Sequence, residues 1–168
     1  MVDSEVTAFP RLSAAEIALV EPLATTCEYQ PGETIFSAGQ PEIDMFIVLS
    51  GGIEIRKPNE EGPIVTHSPG QFSGDIDLLT GRPVIVTAVA QGPTRVMRVP
   101  HVNVRALLNR VPSLSEKLIT AFTRRRELLS GLNSLGLRVV GPGFCRDTNT
   151  VREFLYKNFV PFTVPCYR

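Results

Sequence analysis

The chain has no excess of charge. Its 17 lysines and arginines are matched by 17 aspartates and glutamates over 168 residues. That balance leaves no basic footprint for nucleic acid or for an anionic membrane surface. The longest basic run, Arg124-Arg125-Arg126, points three ways on a helix and reads as a solvated helix end. Cysteine is scarce: Cys27, Cys145 and Cys166 are too few, too scattered and odd in number for a disulfide framework. Reduced thiols and a cytoplasmic setting are expected. No apolar run approaches the length of a membrane span. Met1 to Phe9 carries acids and lacks a basic start and an apolar core, so it is not a secretory signal. His67 and His101 lie at no metal-ligand spacing from cysteine or carboxylate. Both read as satisfied structural histidines, and no metal is expected. No nucleophile–base set can be assembled, so no catalytic residue is assigned and the chain reads as non-catalytic.

What is present is an apolar content of 43%, enough for a core, in a length that fits one domain and a modest extra segment. Leu12-Ser13-Ala-Ala-Glu16-Ile17 is a helix start. Ser13 sits at the cap, Glu16 three residues on, and the helix is expected to run to about Leu23, with Pro22 an awkward guest. Short strands follow, each bounded by proline or glycine: Cys27–Tyr29, Thr34–Ser37, Met45–Leu49, Ile53–Arg56, Ile64–His67, Val84–Ala90 and Thr94–Val99. Such spacing predicts a mainly β domain, a small barrel or jelly roll. Beyond Pro100 the period turns helical. Val104–Leu108 is a short helix, and Ser113 to Glu116 is a second capping box opening the longest one. Its stripe of Leu114, Leu118, Phe122 and Leu129 ends near Ser130-Gly131.

One stretch organises the rest. Pro69-Gly70 is a turn, Phe72-Ser73-Gly74-Asp75 follows, Ile76 to Leu79 is a short apolar run, and Thr80-Gly81-Arg82-Pro83 is a second turn before the strand from Val84. Gly74 lets the backbone approach whatever sits there, and the amides opening the Ile76 turn are a usual place for an anion. These residues resemble the phosphate-binding cassette of the cyclic-nucleotide-binding domain family, whose usual form is Phe-Gly-Glu-Leu-Ala-Leu-Leu, then Pro-Arg-Thr/Ser-Ala. Pro31-Gly32-Glu33, Ile35-Phe36, Gly39 and Met45 to Gly51 are similar to the family's upstream strands and turns. The resemblance covers about Leu12 to Ser130. It implies a double-stranded β-helix, jelly-roll-like, with flanking α-helices. It also implies a pocket at Phe72, Gly74, Asp75, Ile76, Asp77, Val84 and Ile85. In the family the acid holds the ribose 2′-hydroxyl and the arginine pairs with the cyclic phosphate. Here the acid is Asp75, but the alanine position is Asp77, the arginine position Val84 and the Thr/Ser position Ile85. Cyclic AMP is therefore expected to bind very weakly or not at all, leaving the cassette as structure or for a less anionic ligand. Arg82 lies in the turn and is expected to face solvent. The family's long helix often forms a dimer. That leaves two readings open here: packing on the chain's own barrel, or Leu118, Phe122 and Leu129 facing a twin.

The tail shifts in composition. Leu137–Val140 reads as a strand, Gly141-Pro142-Gly143 as a loop, Val151–Lys157 as a helix capped by Asp147 or Thr148, and Val160–Thr163 as a further strand. This βαβ-like opening is neither a winged helix-turn-helix nor a dinucleotide fingerprint, because position 146 is Arg and not a third glycine. It resembles the junction in bacterial proteins where a cyclic-nucleotide-binding-like domain precedes a flavin-dependent thioredoxin-reductase module. The resemblance implies the regulatory front end of such a protein, acting on a reductase partner in cis or in trans. No FAD or NADPH motif follows, so no cofactor is expected in this chain. Cys145 precedes the helix where glutaredoxin-like proteins carry a reactive thiol, but its second position is Thr148 and an incidental cysteine is the reading. The expected organisation is an arm over 1–11, the domain over 12–131 and the tail over 132–168. Two alternatives stand beside the sensor: a ligand-free dimerisation module of the same fold, and a redox fragment using Cys145.

Overall fold

Ser13 caps the helix that follows it, as its spacing predicts. In the computed structural model, which describes residues 7–131, 139–140 and 146–158, the Ser13 hydroxyl accepts from the Glu16 amide at 3.2 Å. The Glu16 carboxylate in turn accepts from the Ser13 amide at 2.7 Å. Helix α1 covers Ala14–Val20 and is shorter than expected. Pro22 has no N–H to continue the ladder, so the chain tightens into a single 3₁₀ turn, Glu21–Leu23.

Seven strands follow among the described residues: β1 Thr25–Tyr29, β2 Thr34–Phe36, β3 Met45–Ser50, β4 Ile53–Arg56, β5 Val65–His67, β6 Thr87–Ala90 and β7 Thr94–Val99. They form two antiparallel sheets, ordered β1-β7-β3 and β2-β6-β4-β5, with no closed barrel. Val96 of β7 stands opposite Cys27 on one side and Val48 on the other. Met45, Ile47, Val48, Ile53, Ala88, Val96 and Val99 are fully buried members of one core. The two sheets meet at the Ser50–Gly52 turn. The Thr94 hydroxyl donates to the Gly52 carbonyl at 3.0 Å, and a side chain on Gly51 (φ +79°) would strike the Pro93 carbonyl.

One strand starts later than expected. Val84 to Val86 is as apolar as a strand, but the Val84 amide donates to the Gln40 carbonyl (3.0 Å) and its carbonyl accepts from Gly39 (2.6 Å). That commitment to a turn elsewhere in the chain delays the ladder until Thr87.

The other helices among the described residues are α2 Asp77–Thr80 within the cassette, α3 His101–Arg110, α4 Pro112–Gly131 and α5 Arg146–Lys157. The second capping box does not form. Helix α4 starts at Pro112, with the Ser115 amide already bonded to the Val111 carbonyl at 2.9 Å. Proline's fixed φ and missing N–H suit a first helical position, which leaves Ser113 inside the turn instead of at its cap. On α4, Leu114, Leu118, Ala121 and Phe122 are fully buried in the domain's own core. Leu118 and Phe122 are thus already covered within their own unit and do not present the twin-facing surface set out above, while Leu129 is half-buried. Lys117 ties α4 to α1 by pairing with Glu16 at 2.7 Å.

Met1–Arg126 and Glu127–Arg168 form two compact units. In the second, α5 buries Leu155 and exposes Val151, Phe154 and Tyr156. Val139 and Val140 are not in a strand. Leu137, Arg138, Cys145 and Val160–Thr163 lie outside the described residues. No described helix is long and apolar enough to cross a membrane.

Candidate ligand cassette

Phe72 leaves β5 through the Ser68–Gln71 turn and bridges to Ile47 of β3. Its neighbour Ser73 is fully buried. The Ser73 amide donates to the Phe46 carbonyl (2.8 Å) and its hydroxyl accepts from the Phe46 amide (3.0 Å). The cassette entrance is thereby clamped to β3. Gly74 follows at φ +112°, a region L side chains rarely adopt. Space demands glycine there as well, because a Cβ would stand 3.1 Å from Leu78 Cδ2 and 3.2 Å from Phe122 Cε1. The Phe122 ring also meets Phe72 edge-on, centroids 5.9 Å apart. Helix α4 therefore rests directly on the cassette.

Asp75 stands just ahead of the single turn of α2, its Oδ1 accepting from the Asp77 amide at 2.9 Å. That amide, expected to be open to an anion, is taken by the cassette's own carboxylate. Asp77 turns inward with 6% of its surface exposed. Its Oδ2 accepts from Arg126 Nη1 at 2.8 Å, and Asp75 Oδ2 lies 3.4 Å from the same nitrogen. Burial, and then the Asp77 charge, push the Asp75 carboxyl above its ordinary range. Ile76 is half-buried at the mouth of α2. Val84, 7% exposed, and the half-buried Ile85 join the apolar core and supply no charge or hydroxyl to the site. Phe72, Gly74, Asp75, Ile76 and Asp77 thus form one continuous cassette, and Val84 and Ile85 stand behind it as packing. Arg82 is exposed, as expected.

The basic run is not a solvated helix end. Arg124 is exposed, but Arg125 is 5% exposed and Arg126 reaches the cassette. Arg125 Nε donates to the Ala8 carbonyl at 2.7 Å, and Nη1 donates to the carbonyls of Phe72 and Gly74, both at 2.8 Å. Its guanidinium lies over the Phe72 ring (4.5 Å) and the Phe9 ring (5.1 Å). Helical spacing carried this signal: position 125 lies three beyond Phe122 and seven beyond Leu118, on the buried stripe.

His67 is not a satisfied histidine. It is buried 6.0 Å from the Phe9 ring, and its Nδ1 has no hydrogen-bond partner among the described residues. Burial, with the charge of Arg125, pushes its pKa down to about 3, so the ring is neutral near pH 7. His101 starts α3, and its amide donates to Asp44 Oδ1 at 2.9 Å. Among the described residues no His, Cys, Asp and Glu cluster in a way that would hold a metal ion.

Residues 26–111, which contain the whole cassette, match the cyclic nucleotide-binding domain. The chain belongs to the cyclic nucleotide-binding domain family. It is 34% identical over 130 residues to a cAMP-dependent protein kinase regulatory subunit of Mycosarcoma maydis, covering 76% of this chain and 22% of that one. A structure from work on a cyclic-GMP-dependent signalling pathway of bacterial phytopathogenesis is similar at TM-score 0.58 and 25% identity, over 73% of this chain and 96% of that one. The Thermus thermophilus catabolite activator protein shares the fold at TM-score 0.61 and 22% identity, over 92% and 88% of the two chains. The chain spans about a quarter of the length of the curated relatives it matches. Arg125 and Arg126 lie beyond the matched residues, on α4.

Proposed function

We propose that this chain is a non-catalytic regulatory module of the cyclic-nucleotide-binding family whose cassette no longer seats a cyclic phosphate. One observation carries the reading: Asp77 lies buried in the cassette and shares Arg126 with Asp75, while the family's phosphate arginine is replaced by Val84, a core residue. A forked arginine makes two charged hydrogen bonds of about 1.5–3 kcal/mol each. Losing even about 4 kcal/mol weakens binding nearly a thousandfold, and the Asp77 carboxylate adds repulsion toward a phosphate. The relatives are named for cyclic AMP and cyclic GMP, so these are the nucleotides to titrate by calorimetry. The expected result is no binding at micromolar concentrations, and a Kd of a few micromolar or tighter for either refutes the proposal.

The module's output is a thioredoxin-reductase-type oxidoreductase, linked or separate. Support comes from the tail motif, Leu137 to Val140, Asp147-Thr148 and Arg152 to Leu155, and from the α5 helix where that motif requires one. The test is NADPH turnover by a bacterial thioredoxin-reductase-type flavoprotein with and without this chain. Unchanged turnover, together with separate elution on gel filtration, removes the partner. The paired state of Asp75 and Asp77 also favours a second reading, a ligand-free interaction module that dimerises through the outer face of α4, where Ile119 is exposed. A monomer by sedimentation at micromolar concentration, unaffected by Ile119→Asp, removes it.

A further inference from the structure

We infer that Arg125 couples the amino-terminal segment to the cassette, so that displacing Ala8–Phe9 loosens the Gly74–Leu79 turn. The inference concerns backbone held by one side chain and stands whether or not the cassette takes a nucleotide. Arg125 sits within α4 with its charge out of water, and among the described residues the acceptors it bonds are main-chain carbonyls: Ala8 on one side, Phe72 and Gly74 on the other. Two aromatic faces complete its surroundings, Phe9 from the amino-terminal segment and Phe72 from the cassette. The same segment is pinned a second time by Gln71 Nε2, which donates to the Phe9 carbonyl at 3.0 Å.

A guanidinium is planar and rigid, so its donors cannot be re-aimed independently. If Ala8 and Phe9 move away, Nε loses its acceptor and one ring face opens to water. A buried cation with an acceptor missing is strongly disfavoured. It turns toward solvent and draws Nη1 from both cassette carbonyls. Nη2 already has no partner among the described residues, so the guanidinium holds no acceptor in reserve. The Gly74 carbonyl is the last group held before the chain enters Asp75 and α2. Its release frees a glycine whose φ of +112° is not locally imposed. Arg126, the next residue of α4, holds Asp75 and Asp77, so a shift in this turn of the helix acts on the same turn through both arginines. The amino-terminal segment is thereby a handle on the cassette, separate from any ligand within it.

Amide hydrogen exchange on the full chain tests this through the Asp77, Leu78 and Leu79 amides, bonded to Asp75 Oδ1, Asp75 O and Ile76 O, against Met97 and Val99 of β7 as controls. Phe9→Ala is expected to speed the three cassette amides about tenfold, the scale of one lost charge-supported contact, and to leave the β7 amides unchanged. With Arg125→Met the cassette amides are fast already and Phe9→Ala adds nothing. Should Arg125→Met not fold, Arg125→Lys serves: it keeps the charge but cannot span both segments, so it too abolishes the response. The inference is overturned if Phe9→Ala leaves the cassette amides unchanged, speeds the β7 amides equally, or acts with the same factor when Arg125 has been replaced.

Discussion

Arg126→Met leaves two inward carboxylates sharing one turn of chain. In the intact protein Arg126 Nη1 lies 2.8 Å from Asp77 and 3.4 Å from Asp75, and the side chains retain 19%, 7% and 14% of their exposure respectively. Breaking a buried ion pair from one side costs about 3–5 kcal/mol. Partial exposure of all three groups puts this case at about 2–3 kcal/mol at pH 7. The cost depends on pH in a fixed direction. Burial and the Asp77 charge already raise the Asp75 carboxyl above its unfolded value. A carboxyl raised on folding binds its proton more tightly in the folded state. It therefore destabilises the fold above the raised pKa, and the penalty fades as the pH falls through it. Without Arg126 the rise is larger, so the deficit of the variant should shrink between pH 7 and about pH 4.5. Adding Asp77→Asn removes the like charge and should return about half of the loss. Urea unfolding of the parent and both variants at the two pH values measures this. A deficit under about 1 kcal/mol at pH 7, or one that does not change with pH, would show that Arg126 does not balance these carboxylates.

His67 is held neutral with a pKa near 3 against an ordinary 6.5, so the unfolded chain takes up a proton that the fold refuses. Below about pH 6.5 stability should fall by about 1.4 kcal/mol per pH unit, about 2 kcal/mol by pH 5. A His67→Leu variant should escape that loss, and parallel urea midpoints for the two proteins from pH 7 to 5 would contradict it. Gly74→Ala should cost about 2–3 kcal/mol, since backbone strain is joined by contacts at 3.1 and 3.2 Å. Gly39→Ala, at φ +87° in open space, should cost about 1 kcal/mol. Equal drops in thermal midpoint would mean that the approach of Phe122 to the cassette has no energetic weight.

What the sequence made legible was local. Proline and glycine punctuation bounded the strands, and β4 and β7 were found to the residue. Ser13 and Glu16 announced their helix because a capping box is closed by neighbours three residues apart. The failures involve partners far along the chain. Val84 to Val86 has the composition of a strand, yet its backbone is engaged by Gly39 and Gln40. Asp77 could be read as an intruder in the phosphate seat, but not as the partner of a residue 49 positions away. Whether seven strands close a barrel or lie in two sheets is likewise decided by pairings that no window of sequence contains. Arg125 is the exception, since its place on a buried stripe was available from periodicity and was masked by its charge.

The fate of the cassette follows from how its backbone is used. Phe72 and Gly74 give their carbonyls to Arg125, Ser73 gives both its hydroxyl and its amide to Phe46, and the Asp77 amide is taken by Asp75. A nucleotide site needs some of these groups turned toward a ligand. In this chain they tie the cassette backbone to α4 and to β3, and a Cβ on Gly74 would meet Phe122. On the proposed reading, Val84 at the phosphate-arginine position adds an apolar side chain to the core instead of leaving an unpaired cation there. The positions that depart from the family pattern serve, on that reading, packing and internal pairing instead of a ligand. As proposed, the cassette motif persists because the helix requires its shape, and the inferred route to it is through what Arg125 and Arg126 hold.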